Sequence, residues 1–231
     1  MKLINKKSAV ITTILMVSLL SACGGGSADK IISDIIDDID VSEKRNQASI
    51  SYINALEQST TFYTQSTVYP NSVYENKHKV VALMANNVSN ELTHKWLDNA
   101  KETKFAYEDG NSANNRKELI ENLQNNKRYW SIAWQQDGVR NLSVLEKKPL
   151  NQANKLSFRI FTNVELNISI NQQTAIYSTE VGQVSTAFTI EGCSDLMLGE
   201  FAIDLCQSGD YGNSYLVVFD SESSIAIIAQ E

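Results

Sequence analysis

The sequence predicts a mainly β protein, two tandem antiparallel β-sandwiches behind a short N-terminal helix, and three observations carry that expectation. From Ala48 onward the chain breaks into short β-branched and aromatic runs, "KLSFRIF", "LNISI", "STAFTI", "SYLVVF" and "SIAIIA", separated by Asn, Gly, Ser and Asp. Strands bounded by turns read this way. Phe158 and Ile160, then Leu166, Ile168 and Ile170, alternate with their neighbours at the period of a half-buried strand. Finally, three blocks recur in the same order. "ISYINALEQSTTFYTQ" from Ile50 lies over "FRIFTNVELNISINQQ" from Phe158, and "NVSNELT" from Asn87 lies over "QVSTAFT" from Gln183. "YWSIAW" with "LSVLEK" (from Tyr129 and Leu142) lies over "YLVVFD" with "IAIIAQ" (from Tyr215 and Ile225). Self-similarity of this kind marks a duplicated unit. Pro149 and the polar residues of "KKPLNQAN" break the strand pattern between copies. The sandwiches are therefore placed at 46–149 and 154–231, each with the six or seven short strands such a fold needs.

The elements before the first sandwich have their own logic. Lys2, Lys6 and Lys7 precede an uncharged, mostly apolar run from Ser8 to Leu20, the layout of a secretory signal. The run is shorter than the ~20 residues a membrane-spanning helix requires. Leu20-Ser21-Ala22-Cys23 resembles the lipobox of bacterial lipoproteins. That resemblance implies a leader of residues 1–22, cleavage before Cys23, diacylation of its thiol with palmitate-type chains, and acylation of the new amino group. Each buried methylene contributes roughly 0.8 kcal/mol, and two or more chains anchor stably. The alternative is an ordinary signal peptide with an incidental cysteine. Gly24 stands where an aspartate would direct retention in the inner membrane, so the expected location is the outer membrane, with its periplasmic or surface face left open.

Residues 23–45 then form the anchor region. Gly24-Gly25-Gly26-Ser27 reads as a tether. In "DKIISDIIDDID" the residues Ile32, Ile35, Ile36 and Ile39 fall at helical spacing among Asp34, Asp37, Asp38 and Asp40. The aspartates lack the glycine and closing glutamate of an EF-hand loop, so an acidic spacer is preferred to a calcium site. A second short helix is expected through Arg116–Leu123, within the loop-like stretch 111–127.

The second copy, on "FRIFTNVELNISINQQTAIYSTEVGQVSTAFTI" and the closing "YLVVF…SIAII" pair, resembles a bacterial domain family of unknown function found, often in tandem, in envelope lipoproteins. The resemblance covers 157–229, with 49–148 as a copy that lacks the glycine matching Gly182 and carries an insertion at 98–126. It implies immunoglobulin-like folds and brings no catalytic residues.

Besides Cys23 there are two cysteines, Cys193 and Cys206. In an exported chain such a pair reads as one disulfide, the alternative being two buried free thiols. The spacing supports the bond. Gly199-Glu200 suits a type II′ turn, so Leu198 faces Phe201, Met197 faces Ala202, and Cys193 faces Cys206 at a non-hydrogen-bonded pair within disulfide range.

Composition narrows the function. The net charge is −7 with three of the lysines in the leader, which argues against nucleic acid, whose binding needs a basic footprint. Only two histidines occur, His78 and His94, in no metal-ligand spacing, and no phosphate-cradling or nucleophile-elbow motif is present. No catalytic residue, metal or cofactor is therefore assigned, and the chain is read as a non-enzyme. His94 could serve as a base but reads better as a satisfied strand residue. Trp130, Ile132 and Trp134 share one strand face, either a stacking platform for a glycan or protein or, as preferred, the core of the first sandwich. Trp96 is the candidate ligand contact, if exposed. The expected function is that of a lipid-anchored envelope lipoprotein with a non-catalytic binding or structural role, held to the membrane through Cys23 and facing an envelope protein or glycan partner. The alternatives are an accessory or assembly subunit of a surface machine, and an envelope hydrolase whose cryptic site joins His94 to a serine and a carboxylate.

Overall fold

The computed structural model describes residues 45–231, apart from 69, 99, 101, 111–114, 171–176, 192–194 and 206–208. The expected helix at 29–40, Cys23, Cys193 and Cys206 lie outside the described residues. The first half runs through β1 (Arg45–Asn54), β2 (Thr60–Ser66), a 3₁₀ turn (Asn76–His78), β3 (Lys79–Leu83), β4 (Asn87–Val88), β5 (Leu92–Leu97), β6 (Thr103–Asp109), β7 (Arg116–Glu121), β8 (Arg128–Gln136) and β9 (Val139–Glu146). The second runs through β10 (Leu156–Thr162), β11 (Asn167–Ile170), β12 (Tyr177–Ser178), β13 (Phe188–Ile190), β14 (Asp195–Leu198), β15 (Phe201–Asp204), β16 (Ser214–Asp220) and β17 (Ile225–Gln230).

Four sheets result. An inner sheet β4-β1-β8-β9, with β5 also on β1, packs against an outer sheet β3-β2-β6-β7. In the second half, inner β13-β10-β16-β17 packs against outer β12-β11-β14-β15. β5 lies on β1 as β13 lies on β10, Leu92 opposing Ile50 as Phe188 opposes Phe158, and once β4 is set aside the strand orders correspond one for one. Each half has its own core, around Ile50, Tyr52, Phe62 and Phe105 in the first and Phe158, Ile160, Ile168 and Val217 in the second. The arrangement is consistent with β-sandwich packing. A third apolar layer lies between the two inner sheets and joins the halves.

The inner strands are thus buried on both faces, which accounts for their nearly continuous apolar texture. In β16 Tyr215, Val217 and Phe219 enter the core of their own half, while Leu216 and Val218 face the other half. In β8, Tyr129 and Ala133 point into the first core, and Trp130, Ile132 and Trp134 point away from it. The tryptophan stripe is therefore not the first sandwich's core, as expected; it meets Phe161, Leu216, Val218 and Ile227 of the second half.

Three further corrections follow. The sheets are not wholly antiparallel: β1 pairs with β8, and β10 with β16, in parallel. The chain crosses to the outer sheet between each such pair, which supplies the long connection parallel neighbours need. No helix covers 116–123; β7 occupies 116–121, its Leu119 packing on the first core opposite Phe105. Good helix formers here yield to cross-strand pairing, and Arg116, Lys117 and Glu118 lie exposed along this sheet edge as edge strands require. The third repeat block slips by one residue, because Trp130 opposes Leu145 as Leu216 opposes Ala229.

Elsewhere the two halves share registers and hydrogen bonds. Ile50 opposes Tyr129 as Phe158 opposes Tyr215. The Tyr52 N–H donates to Ser89 Oγ at 2.9 Å, and Ile160 N–H donates to Ser185 Oγ at the same distance. Backbone N–H groups of Gln124 and Asp210 donate to the hydroxyls of Tyr129 (2.9 Å) and Tyr215 (2.7 Å). Asn86 (φ 54°) stands where the second copy has Gly182 (φ 69°); asparagine is among the few residues with a Cβ that enter this left-handed region readily.

Candidate functional site

Trp96 is not exposed. It retains 7% of its surface and belongs to the first core, because β5 pairs with β1 from Arg45 to Ile50 and turns this face inward. That overturns its assignment as a ligand contact. His94 stacks on the Trp96 ring, with centroids 5.7 Å apart and planes at 17°, and its Nε2 lies 3.4 Å from Thr103 Oγ1. Burial draws its pKa down to about 4. The groups in contact with its ring are thus a threonine and a tryptophan rather than a serine–carboxylate pair.

The chemistry-bearing side chains gather between the two inner sheets. At one end, Lys147 Nζ donates to Ser51 Oγ (2.9 Å) and Glu91 Oε1 (3.0 Å) and sits 3.7 Å above the Trp130 ring. Its side chain is only 2% exposed. Burial lowers the lysine pKa, and the bond from Glu91 opposes that shift. Glu91 pays for its own partial burial and is nonetheless held below the usual carboxylate range by Arg128 and Lys147. Beside them, Arg159 Nε donates to Glu231 Oε2 at 3.0 Å, and its Nη2 donates to Glu231 Oε1 and to the Glu146 carbonyl. Glu231 also accepts from Trp130 Nε1 (3.3 Å) and Ser214 Oγ (3.2 Å). Trp130 therefore offers its face to a cation of its own half and its N–H to an anion of the other.

By the repeat, Ser51 corresponds to Arg159 and Lys147 to Glu231. The same face of both halves is turned inward, and the equivalent positions hold different polar and charged groups. At the other end Asn163 Nδ2 donates to the Gln135 carbonyl (3.1 Å) and Asp220 Oδ1 (2.6 Å), while Glu222 accepts the Asp137 N–H at 2.8 Å. Between these polar ends Gly182 lies against Trp134, whose Nε1 donates to Ser143 Oγ, which in turn donates to the Gly182 carbonyl.

Ser51 and Lys147 are spaced as a nucleophile and its base would be. Yet Ser51 is 3% exposed and the lysine is bound to a carboxylate. A small apolar crevice in the second half is lined by Leu156, Phe158, Leu205, Gly209, Tyr215 and Ile228. It lies where the first copy has Leu123 in place of Gly209, and the glycine backbone rests so closely on Tyr215 that a Cβ would stand 3.0 Å from Cε2. Among the described residues no group of three or more His, Cys, Asp or Glu is placed to hold a metal, and no helix is long and apolar enough to cross a membrane.

Sequence reasoning missed Lys147, Arg159, Glu91 and Glu231. The only signal was Arg159 standing inside the apolar run "FRIF", a position that a buried ion pair explains. No family model matches the chain. No curated protein matches it in sequence.

Proposed function

We propose that the chain is a lipid-anchored cell-envelope lipoprotein whose two halves are tandem immunoglobulin-like sandwiches with a non-catalytic binding or structural role. The anchor reading rests on Leu20-Ser21-Ala22-Cys23. The observation that supports a non-catalytic role is the burial of Lys147, Trp130, Arg159 and Glu231, whose polar groups are bonded within each half and, through Trp130 Nε1 and Glu231, across the joint. The Cys193–Cys206 disulfide belongs to the same reading. The register Leu198↔Phe201 to Asp195↔Asp204 about Gly199 (φ 60°) is the one from which the bond was argued.

Labelling growing cells with an alkyne-bearing palmitate tests the anchor: the label should enter the wild-type chain and be lost in Cys23→Ala. Protease shaving of intact and permeabilised cells then decides the face of the outer membrane. Labelling by a fluorophosphonate probe, abolished in Ser51→Ala, would instead favour the envelope-hydrolase alternative. A wild-type chain free of palmitate refutes the anchor.

A further inference from the structure

We infer that the outer edge of β17 is a docking edge for an extended, basic segment of a partner protein, which would add a strand to the second half's inner sheet. Three observations converge on this strand.

Among the described residues β17 is the end of its sheet, paired with β16 alone. The Glu231 N–H donates to the Ser214 carbonyl, and the β16–β17 register then directs the N–H and C=O groups of Ala226, Ile228 and Gln230 away from β16, because ladder bonds alternate. Its sequence, Ile225-Ala226-Ile227-Ile228-Ala229-Gln230, contains no charge and no proline. Exposed edges normally carry such devices against unwanted pairing. The equivalent strand of the first half, β9, has them: Arg140, Asn141 and Glu146 interrupt it, and β7 lies alongside. The β9 edge is guarded by charge and by β7, whereas β17 carries no charge of its own and has only the two-residue β4 of the first half near it.

Charge selects the occupant. Residues 154–231 carry ten carboxylate side chains against two cations, Lys155 and Arg159, a formal −8. Both cations are consumed, by Glu191 and Glu231. Residues 46–149 are nearly balanced, with twelve cations and eleven carboxylates. Two copies meeting edge to edge at β17 would bring two strongly acidic halves together, whereas a segment bearing lysine or arginine is attracted to the same edge. Strand addition then supplies affinity through main-chain hydrogen bonds and leaves charge to choose the partner.

This deepens the binding role proposed above and is independent of the anchor, so its test is separate from palmitate labelling. The probes are two fluorescent octapeptides, (Lys-Val)₄ and (Glu-Val)₄, titrated against the full-length chain in detergent and read by anisotropy and by amide hydrogen exchange. The Lys-Val peptide should bind and slow exchange at Ala226, Ile228 and Gln230. Gln230→Pro removes one edge N–H without touching the β16 ladder and should weaken binding about tenfold, the worth of one ladder hydrogen bond. Gln230→Lys keeps the N–H and should weaken it by charge alone, with the loss shrinking in high salt. Absent or equal binding of the two peptides, or protection confined to other edges, overturns the inference. So does protection of the three amides without peptide in a chain that sediments as a dimer, which would make a second copy the occupant.

Discussion

Replacing Gly182 by alanine tests how tightly the two halves are joined. Gly182 holds φ 69°, donates its N–H to the Thr162 carbonyl at 3.0 Å, and would place a Cβ 2.6 Å from Cζ2 and 3.0 Å from Cη2 of Trp134. The indole has little freedom to yield, because Nε1 is bonded to Ser143 and its ring meets Phe161 edge-on at 5.6 Å. The left-handed backbone costs a residue with a Cβ about 1 kcal/mol, and relieving the overlap costs roughly 1–3 kcal/mol more. Gly182→Ala should therefore lose about 2–4 kcal/mol in urea unfolding followed by circular dichroism. The control is Asn86→Ala at the equivalent position, φ 54°, where a Cβ is already accommodated; only the backbone cost of about 1 kcal/mol is expected. In the double variant Gly182→Ala/Trp134→Leu the steric part should vanish, a coupling that a double-mutant cycle measures. Equal losses for the two alanine variants, with no coupling to Trp134, would refute the reasoning.

Three other outcomes are expected. Arg159→Met strands Glu231, whose side chain has no exposed surface, and should cost about 3–5 kcal/mol; adding Glu231→Gln should recover most of it, and failure to recover would show that the pair does not act as a unit. His94 ionises near 4 in the fold against 6.5 as its ordinary value. Between those pH values the unfolded chain binds the proton more readily, so stability is unaffected above about 6.5 and falls as pH drops toward 4, by at most about 3 kcal/mol. His94→Gln should flatten that slope, and an unchanged slope would clear His94 of the effect. Cys206→Ser should lower stability by about 3 kcal/mol if the chain-entropy account applies, and thiol titration of the unreduced wild type should find neither Cys193 nor Cys206 free.

Much of the architecture was legible in the sequence because its signals are local. Alternation in "LNISI" and Gly199 in its turn are properties of a few adjacent residues, and Leu198 does face Phe201 and Met197 does face Ala202. The repeat was readable because the paired registers derive from it: the Ile50 and Phe158 blocks, and the Tyr129 and Tyr215 blocks, keep the same partners. Misreadings arose where a local pattern had two solutions. Arg116–Glu121 has good helix formers, and only β6 beside it makes it a strand. Trp96, in a less patterned run, gave no sign of which face would be covered, and β1 decided it.

Sequence alone determined the β class, the turn at Gly199, and an internal repeat of blocks, since each depends on spacing along the backbone. Tertiary structure alone decided that the two halves meet face to face. That is why the Trp130–Trp134 stripe could be read as the first sandwich's core or a platform and is instead part of the layer between the halves: a strand's two faces are equivalent in sequence until another sheet covers one of them. It also decided the pairing of Lys147 with Ser51 and Glu91, and of Arg159 with Glu231. Partners separated by up to 96 positions leave no periodicity to read, and a charge becomes part of a buried network only when the fold removes the water that would otherwise solvate it.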